Sequence, residues 1–144
     1  MGQCYNSAVV AAPLDRVWQA LRDFHDVSWA KGVVEHVEIK GDKGPSEVGS
    51  QRVLNGAFVE TLIELDDAAH RLRYTMDDGP GPLSKDVVDR YIGTVQLRPV
   101  TAGDQTFVEW VSDYESSDDA AVHSFCNPVY GALLQALVRH FAAA

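Results

Sequence analysis

The sequence contains few cysteines and no long hydrophobic run. No apolar stretch approaches the roughly 20 residues that a membrane-spanning helix needs, so we expect no membrane span. The two cysteines, Cys4 and Cys126, lie far apart and have no second Cys or His at metal-binding spacing. That pattern indicates neither a zinc site nor a disulfide framework, and we expect two buried thiols, no metal and no cofactor.

Positive charge is also sparse. The chain carries 12 Lys and Arg residues against 21 Asp and Glu residues, for a formal net charge of −9, and the basic residues are scattered singly. Nucleic-acid phosphates require a clustered basic surface, so nucleic acid is not an expected partner.

The N-terminus lacks the basic start and the apolar block of a secretory signal. Gly2 is present, but Asn6 occupies the position where a myristoylation signal has Ser or Thr. We therefore expect a cytoplasmic protein. A chain of 144 residues can bury roughly 70% of its unfolded surface in one core, and we interpret residues 1–144 as one domain.

Most of the chain alternates between apolar and polar residues, as strands do. Short turn sequences such as Asn55-Gly56 and Asp66-Asp67 separate the strands, which predicts an antiparallel meander. A longer Gly- and Pro-rich connection, Asp77–Lys85, is of the kind that can form a lid. A first strand ends at Ala8–Ala12, and the later strands are predicted at Val33–Lys40, Ser50–Leu54, Phe58–Leu65, Arg71–Met76, Val87–Arg98 and Thr106–Tyr114.

Two regions have helical periodicity. A short amphipathic helix follows Pro13, and Val27–Lys31 is expected to be a second short helical turn or an irregular connection. From Val122 to Phe141 apolar residues recur at helical spacing over five turns, with Asp118 placed to cap the helix and Pro128 expected to kink it without breaking it. The predicted fold is α+β: a seven-stranded curved antiparallel sheet around a long C-terminal helix, with two short helices after strand 1.

The order and spacing of several short motifs resemble the helix-grip superfamily called SRPBCC, which includes START lipid-transfer domains, Bet v I-like allergens and polyketide cyclases. These motifs are Ala12-Pro13 with Val17-Trp18, Val48-Gly49 with Arg52, Glu60-x-Leu62, Leu72-x-Tyr74, Tyr91-x-Gly93-Thr94 and Thr106-x-Val108-x-Trp110. The chain is most similar to small bacterial cyclase-like members. The resemblance implies a cavity between sheet and C-terminal helix that holds a lipid, polyketide or hormone-like molecule.

Strand alternation places three tyrosines, a tryptophan and a methionine on the inner face of the sheet. Buried Tyr and Trp need a partner for their polar atoms, which suits a cavity with a ligand or ordered water, although aromatic residues on an inner face are more often simply core. His123 is placed near the start of the C-terminal helix, where it could reach a cavity mouth. The predicted ligand-binding residues are Glu60, Leu62, Tyr74, Met76, Tyr91, Trp110, Tyr114, His123 and Tyr130.

Strand alternation and the family resemblance predict opposite orientations for Glu60. Alternation puts Val59, Thr61 and Ile63 on the apolar face and turns Glu60 outward. The resemblance points the same Glu into the cavity, and a bulge near Gly56 would reconcile the two. We favour the inward orientation, in which burial would raise the pKa of Glu60 and make it a candidate acid or base.

Three functions are compatible with these features. The first is binding of a small hydrophobic molecule, by a monomer or a weak homodimer. The second is a polyketide cyclase or dehydratase in which Glu60 and a tyrosine such as Tyr91 move a proton. The third is a protein-interaction domain with a collapsed cavity. Fold alone does not choose between them.

Overall fold

A computed structural model describes residues 1–142, so the last two residues of the predicted domain lie outside the described residues. Seven strands form one sheet: β1 (Gly2–Val10), β2 (Val37–Lys40), β3 (Gln51–Leu54), β4 (Phe58–Asp66), β5 (Arg71–Asp78), β6 (Val88–Val100) and β7 (Gln105–Ser116). Two helices accompany it: α1 (Leu14–Leu21) and α2 (Asp119–Ala142). Two short 3-10 turns lie at Ser28–Ala30 and Gly81–Leu83.

The sheet is an antiparallel meander of six strands, to which the first strand is added at one edge. Its strand order is β1-β7-β6-β5-β4-β3-β2, so β2 to β7 follow each other in space as in sequence, and β1 adds beside β7. All six pairings are antiparallel. The curved sheet and the long final helix confirm the predicted helix-grip α+β fold.

Helix α2 lies against the inner face of the sheet, and its buried side chains follow the predicted stripe. Asp118 caps the helix, since its Oδ1 atom accepts a hydrogen bond of 3.1 Å from the Ala121 N–H. The helix continues through Pro128. Its buried residues are Val122, Cys126, Tyr130, Leu133, Leu134, Ala136, Leu137 and Phe141.

The segment between α1 and β3 follows the prediction only in part. The predicted second short helical turn is present as the 3-10 turn at Ser28–Ala30. The second strand begins at Val37 and not at Val33, and residues 31–36 form an irregular segment that we call the strap. The turn and the strap together close one side of the pocket.

Candidate functional site

A pocket of about 210 Å³ lies between the sheet and α2, and most of its lining is apolar. Its walls come from the 3-10 turn and strap, from β3, β4, β5 and β7, and from α2. The lining residues are Val27, Trp29, Ala30, Val33, Val34, Arg52, Leu54, Asn55, Phe58, Glu60, Tyr74, Met76, Trp110, Cys126, Val129, Tyr130 and Leu133.

The charged part of the pocket is an ion pair between neighbouring strands. Arg52 of β3 and Glu60 of β4 are direct cross-strand partners, and both are buried, with 6% and 4% of their surfaces exposed. The Nε and Nη2 atoms of Arg52 both lie 2.9 Å from the Oε1 atom of Glu60. Pairing is what makes burial of two charges tolerable.

Phe24 supports the guanidinium of Arg52 from the other side. The Nη1 atom donates a hydrogen bond of 3.1 Å to the Phe24 carbonyl, and the guanidinium carbon lies 3.8 Å from the centroid of the Phe24 ring. Stacking on an aromatic face and bonding to a carbonyl fix the planar group in one orientation. Arg52 is therefore a rigid part of the pocket wall.

Glu60 points inward because the pairing of β4 with β5 is irregular. Register shifts occur between Val59 and Glu60 and again between Leu62 and Glu64. Glu60 and Leu62 are buried, whereas Ile63 is exposed, so strict alternation assigned the wrong face to this part of β4. The inward orientation is confirmed, although the irregularities lie in the pairing of β4 with β5, where Asp77 and Ile63 are skipped, and not at Gly56.

Burial is the main influence on the Glu60 carboxyl and raises its pKa, while the neighbouring Arg52 charge opposes the rise. Arg52 cannot release its proton, so a neutral Glu60 would leave a buried guanidinium without a counterion. We therefore describe the pair as carboxylate and guanidinium. The Oε2 atom of Glu60 accepts no hydrogen bond from residues 1–142, in contrast to Oε1.

Aromatic side chains beside the ion pair form a chain of hydrogen bonds. The Trp110 indole N–H donates to the Tyr74 hydroxyl at 2.9 Å, and the Tyr74 and Tyr130 hydroxyls lie 3.2 Å apart. Tyr130 also bonds to Tyr91, whose hydroxyl donates to the Cys126 sulfur at 3.4 Å. Since each hydroxyl carries one proton, the donors run in a single direction from Trp110 to Cys126.

Burial raises the pKa of each of these tyrosines above its ordinary value, so all three stay neutral at physiological pH. Burial also raises the pKa of the Cys126 thiol to about 11, which keeps the sulfur protonated and poorly nucleophilic. The aromatic wall thus offers the pocket neutral hydroxyl groups and an unreactive thiol.

The predicted site residues fall into three groups: residues that line the pocket, residues buried behind the lining, and one exposed histidine. Glu60, Tyr74, Met76, Trp110 and Tyr130 line the pocket. A second group is buried behind this lining: Leu62, Tyr91 and Tyr114.

His123 is exposed near the start of α2 and does not line the pocket, whose lining on this helix begins one turn later, at Cys126. No residue of the 77–85 connection lines the pocket.

Several lining residues were not predicted. Arg52 is part of a motif that carried the resemblance, but a lone Arg in a strand gives no signal that it faces inward. A short helical turn was predicted at Val27–Lys31, but its place in the pocket wall was not. The strap was missed because Val33 and Val34 were assigned to a strand. Composition offers one clue, namely an apolar Val27–Val34 segment without alternation.

Asn55 holds the strap in place. Its Oδ1 atom accepts hydrogen bonds from the backbone N–H groups of Glu35 (2.8 Å) and His36 (3.2 Å), and its Nδ2 atom donates to the Val33 carbonyl at 3.0 Å. The Asn55 N–H donates to the His36 carbonyl at 2.7 Å. Within residues 1–142, every hydrogen bond from the strap to the β3–β4 hairpin involves Asn55.

Comparison with known families identifies the superfamily. A family described as polyketide cyclase/dehydrase and lipid transport matches residues 1–142. The chain belongs to this family. Membership of the polyketide cyclase/dehydrase and lipid transport family confirms the SRPBCC resemblance and indicates a ligand-binding or cyclase role.

Solved structures agree with this assignment. A protein of Nitrosospira multiformis is 43% identical over 96% of this chain and 95% of its own, with a TM-score of 0.92. One from Thermobifida fusca is 28% identical over 97% and 93%, with a TM-score of 0.82. The protein XoxI of Bacillus cereus, 20% identical over 99% and 96% with a TM-score of 0.78, shares the fold. No curated protein is significantly similar in sequence.

Residues 1–142 contain neither a metal-binding cluster nor a membrane-spanning helix. No group of three or more His, Cys, Asp or Glu side chains within residues 1–142 is arranged to hold a metal ion. Neither α1 nor α2 combines the length and hydropathy needed to cross a membrane.

Proposed function

We propose that the protein binds a small, largely apolar molecule in the pocket between the sheet and α2. The observation that carries the proposal is an apolar pocket of about 210 Å³ with one buried ion pair and two tyrosine hydroxyls in its wall. Small-molecule sites typically combine an apolar surface with a few polar groups that fix the ligand's orientation. Family membership supports the same role.

Pocket volume limits the size of the ligand. The pocket is somewhat larger than an engineered apolar cavity of roughly 150 Å³ that holds benzene, and it lies below the usual range for drug-sized ligands, which begins at about 300 Å³. A molecule of one or two fused rings, or a short branched chain, fits this space. A long acyl chain requires the strap or the Phe58 and Phe125 side chains to move, since these two rings meet 6.4 Å apart between β4 and α2.

The test combines a search for a natural ligand with a blocked pocket. Native mass spectrometry of protein purified from its own host should show a bound small molecule. The Val129→Phe variant should lose it, because the larger ring projects from α2 into the lining. Val138→Phe is the matched control, since Val138 is half-buried on the same helix outside this pocket. A ligand retained equally by both variants would contradict the proposal.

The cyclase or dehydratase alternative is favoured by one observation. A buried carboxyl with a raised pKa and two neutral tyrosine hydroxyls line the same pocket, which is how proton-transfer groups are arranged in apolar sites. The tyrosines that share the pocket with Glu60 are Tyr74 and Tyr130; Tyr91 lies behind them. In this alternative the candidate proton donors are therefore Tyr74 and Tyr130, and not Tyr91.

Catalysis can be separated from binding with a poly-β-ketone thioester. If the protein is an enzyme, Tyr74→Phe or Tyr130→Phe should abolish cyclisation with loss of water, which mass spectrometry measures, while both variants still bind an apolar fluorescent probe. Turnover indistinguishable from the buffer reaction, by a protein that binds the thioester, would reject the alternative and leave the binding function intact.

A further inference from the structure

The ion pair also carries information about ligand charge. We propose that Arg52 restricts the pocket to uncharged ligands that bring a hydroxyl or N–H group to the Oε2 atom of Glu60. This inference rests on the proposed binding function and adds the chemical class of the ligand. It makes Arg52 a specificity-determining residue whose own charge is not offered to the ligand.

Three polar contacts and one aromatic ring hold the guanidinium of Arg52, and the polar contacts use three of its five N–H groups. Nε and Nη2 converge on Glu60 Oε1, and Nη1 donates to the Phe24 carbonyl. One face of the group lies on the Phe24 ring. A ligand carboxylate that paired with the two remaining N–H groups would lie beside the Glu60 carboxylate and would have to share the single charge of Arg52 with it.

The convergence of both donors on one oxygen leaves the other oxygen free. Glu60 Oε2 accepts no hydrogen bond within the described residues, yet the only fully enclosed side-chain polar atom without a partner in residues 1–142 is the Ser112 hydroxyl. Because Glu60 lines the pocket, Oε2 is therefore reachable from the pocket. An ionised carboxylate is an acceptor only, so it selects a donor on the ligand.

Charge balance sets the remaining requirement. Arg52 and Glu60 sum to zero, and the other lining groups are apolar, hydroxyl, amide, indole or protonated thiol groups. An anionic ligand would be repelled by the Glu60 carboxylate and would find no cation that is not already paired. A cationic ligand would be repelled by the Arg52 guanidinium. Either ligand would lose its hydration without gaining a counterion. A neutral molecule with one donor avoids both costs.

Three probes of nearly equal shape test the proposal: naphthol, methylnaphthalene and naphthoate. At neutral pH the first is an uncharged donor, the second has no donor and the third is an anion. We expect the wild-type protein to bind naphthol about tenfold or more tighter than methylnaphthalene, because a hydrogen bond to a charged acceptor adds to the affinity. Naphthoate should bind weakest of the three. Titration calorimetry measures all three.

Two variants locate the effect at the ion pair. Glu60→Gln leaves the Arg52 charge uncompensated, so naphthoate should become the preferred probe. Because that variant can unfold, the double variant Arg52→Met with Glu60→Met removes both charges together, a replacement that buried ion pairs often tolerate. It should bind naphthol and methylnaphthalene alike and still reject naphthoate.

The outcomes separate this inference from the function on which it rests. Equal binding of naphthol and methylnaphthalene by the wild-type protein, or a preference for naphthoate, would overturn the inference and leave the binding function standing. A naphthol preference that survives in the double variant would also overturn it. If none of the three probes binds, the proposed binding function fails, and the ligand class fails with it.

Discussion

At the scale of single residues, the fit between Gly93 and Tyr74 shapes the pocket wall. The two residues are cross-strand partners on β6 and β5, and a Cβ atom added to Gly93 would lie 2.2 Å from the Tyr74 Cζ atom. The absent side chain at Gly93 thus provides the space in which the Tyr74 ring lies flat against the sheet. From there the Tyr74 hydroxyl accepts from Trp110 and meets Tyr130.

Gly93→Ala should therefore destabilise the protein by about 1–3 kcal/mol, because the ring must move and its hydrogen bonds must break. Gly131→Ala is a matched control. Its added Cβ has no neighbour closer than 3.9 Å, and it replaces a helical glycine, so it should stabilise the protein by up to about 1 kcal/mol. Urea unfolding of both variants measures the difference. Equal free energies of unfolding would show that Tyr74 adapts without cost.

Residue identity alone predicted only part of this arrangement. Tyr74, Trp110 and Met76 were placed correctly because alternation holds in β5 and β7. Glu60 needed the resemblance, since the register shifts that turn it inward depend on how β4 pairs with β5. Arg52 was missed because its burial depends on an ion pair with Glu60, which lies on the neighbouring strand.

At the scale of elements, the strap is a pocket wall held by one side chain. Asn55 supplies its hydrogen bonds to the β3–β4 hairpin while adopting a left-handed backbone conformation with a φ of 55°. Asn tolerates this conformation better than most residues do. The same residue therefore forms the turn and holds the strap, and Val33, Glu35 and His36 bond to it instead of extending β2.

Asn55→Gly should loosen the strap without disturbing the turn, since glycine adopts positive φ readily. Losing these bonds should speed hydrogen exchange of the Glu35 and His36 amides roughly fivefold, because each side-chain bond contributes about 1 kcal/mol. Asn127→Ala removes a comparable bond, the one of 2.9 Å to Asn6, far from the strap and serves as the control. Unchanged exchange at Glu35 and His36 would mean that apolar packing alone holds the strap.

The order of elements was predictable because periodicity is strong in most of them. The meander and α2 were predicted correctly because their apolar patterns repeat over several periods, of two residues in a strand and of 3.6 residues in a helix. The strap was predicted as strand because Val33 and Val34 have high strand propensity, and the competing bonds come from Asn55, about twenty residues away. Local sequence carries no information about such a partner.

At the scale of the whole molecule, pocket volume is the property that the sequence predicts least. The pocket of about 210 Å³ is the part of the volume between sheet and helix that side chains leave unfilled. It is small compared with either the enclosed volume or the volume of those side chains. Small changes in sheet curvature or helix position alter the unfilled volume as much as a change of side chain would. The resemblance predicted that space exists, and only coordinates give its size and lining.

The two edges of the sheet bear on self-association, since exposed edges pair with other chains unless they are short, charged or covered. Edge strand β2 has four residues and carries Glu38 and Lys40, which form an ion pair of 3.2 Å. Edge strand β1 is longer, but α2 packs against it more extensively than against any other strand. A formal net charge of −9 adds mutual repulsion between copies.

We therefore expect a monomer of 15.8 kDa in sedimentation velocity from low to high micromolar concentration, with only weak association at high salt, where charge repulsion is screened. The double variant Glu38→Val with Lys40→Val exposes an apolar edge beside Ile39 and should associate with rising concentration. Glu115→Val with Arg90→Val is the control, since it removes another exposed ion pair, between β6 and β7 and away from the β2 edge. A wild-type dimer that persists at low salt would show that neither edge protection nor charge governs association.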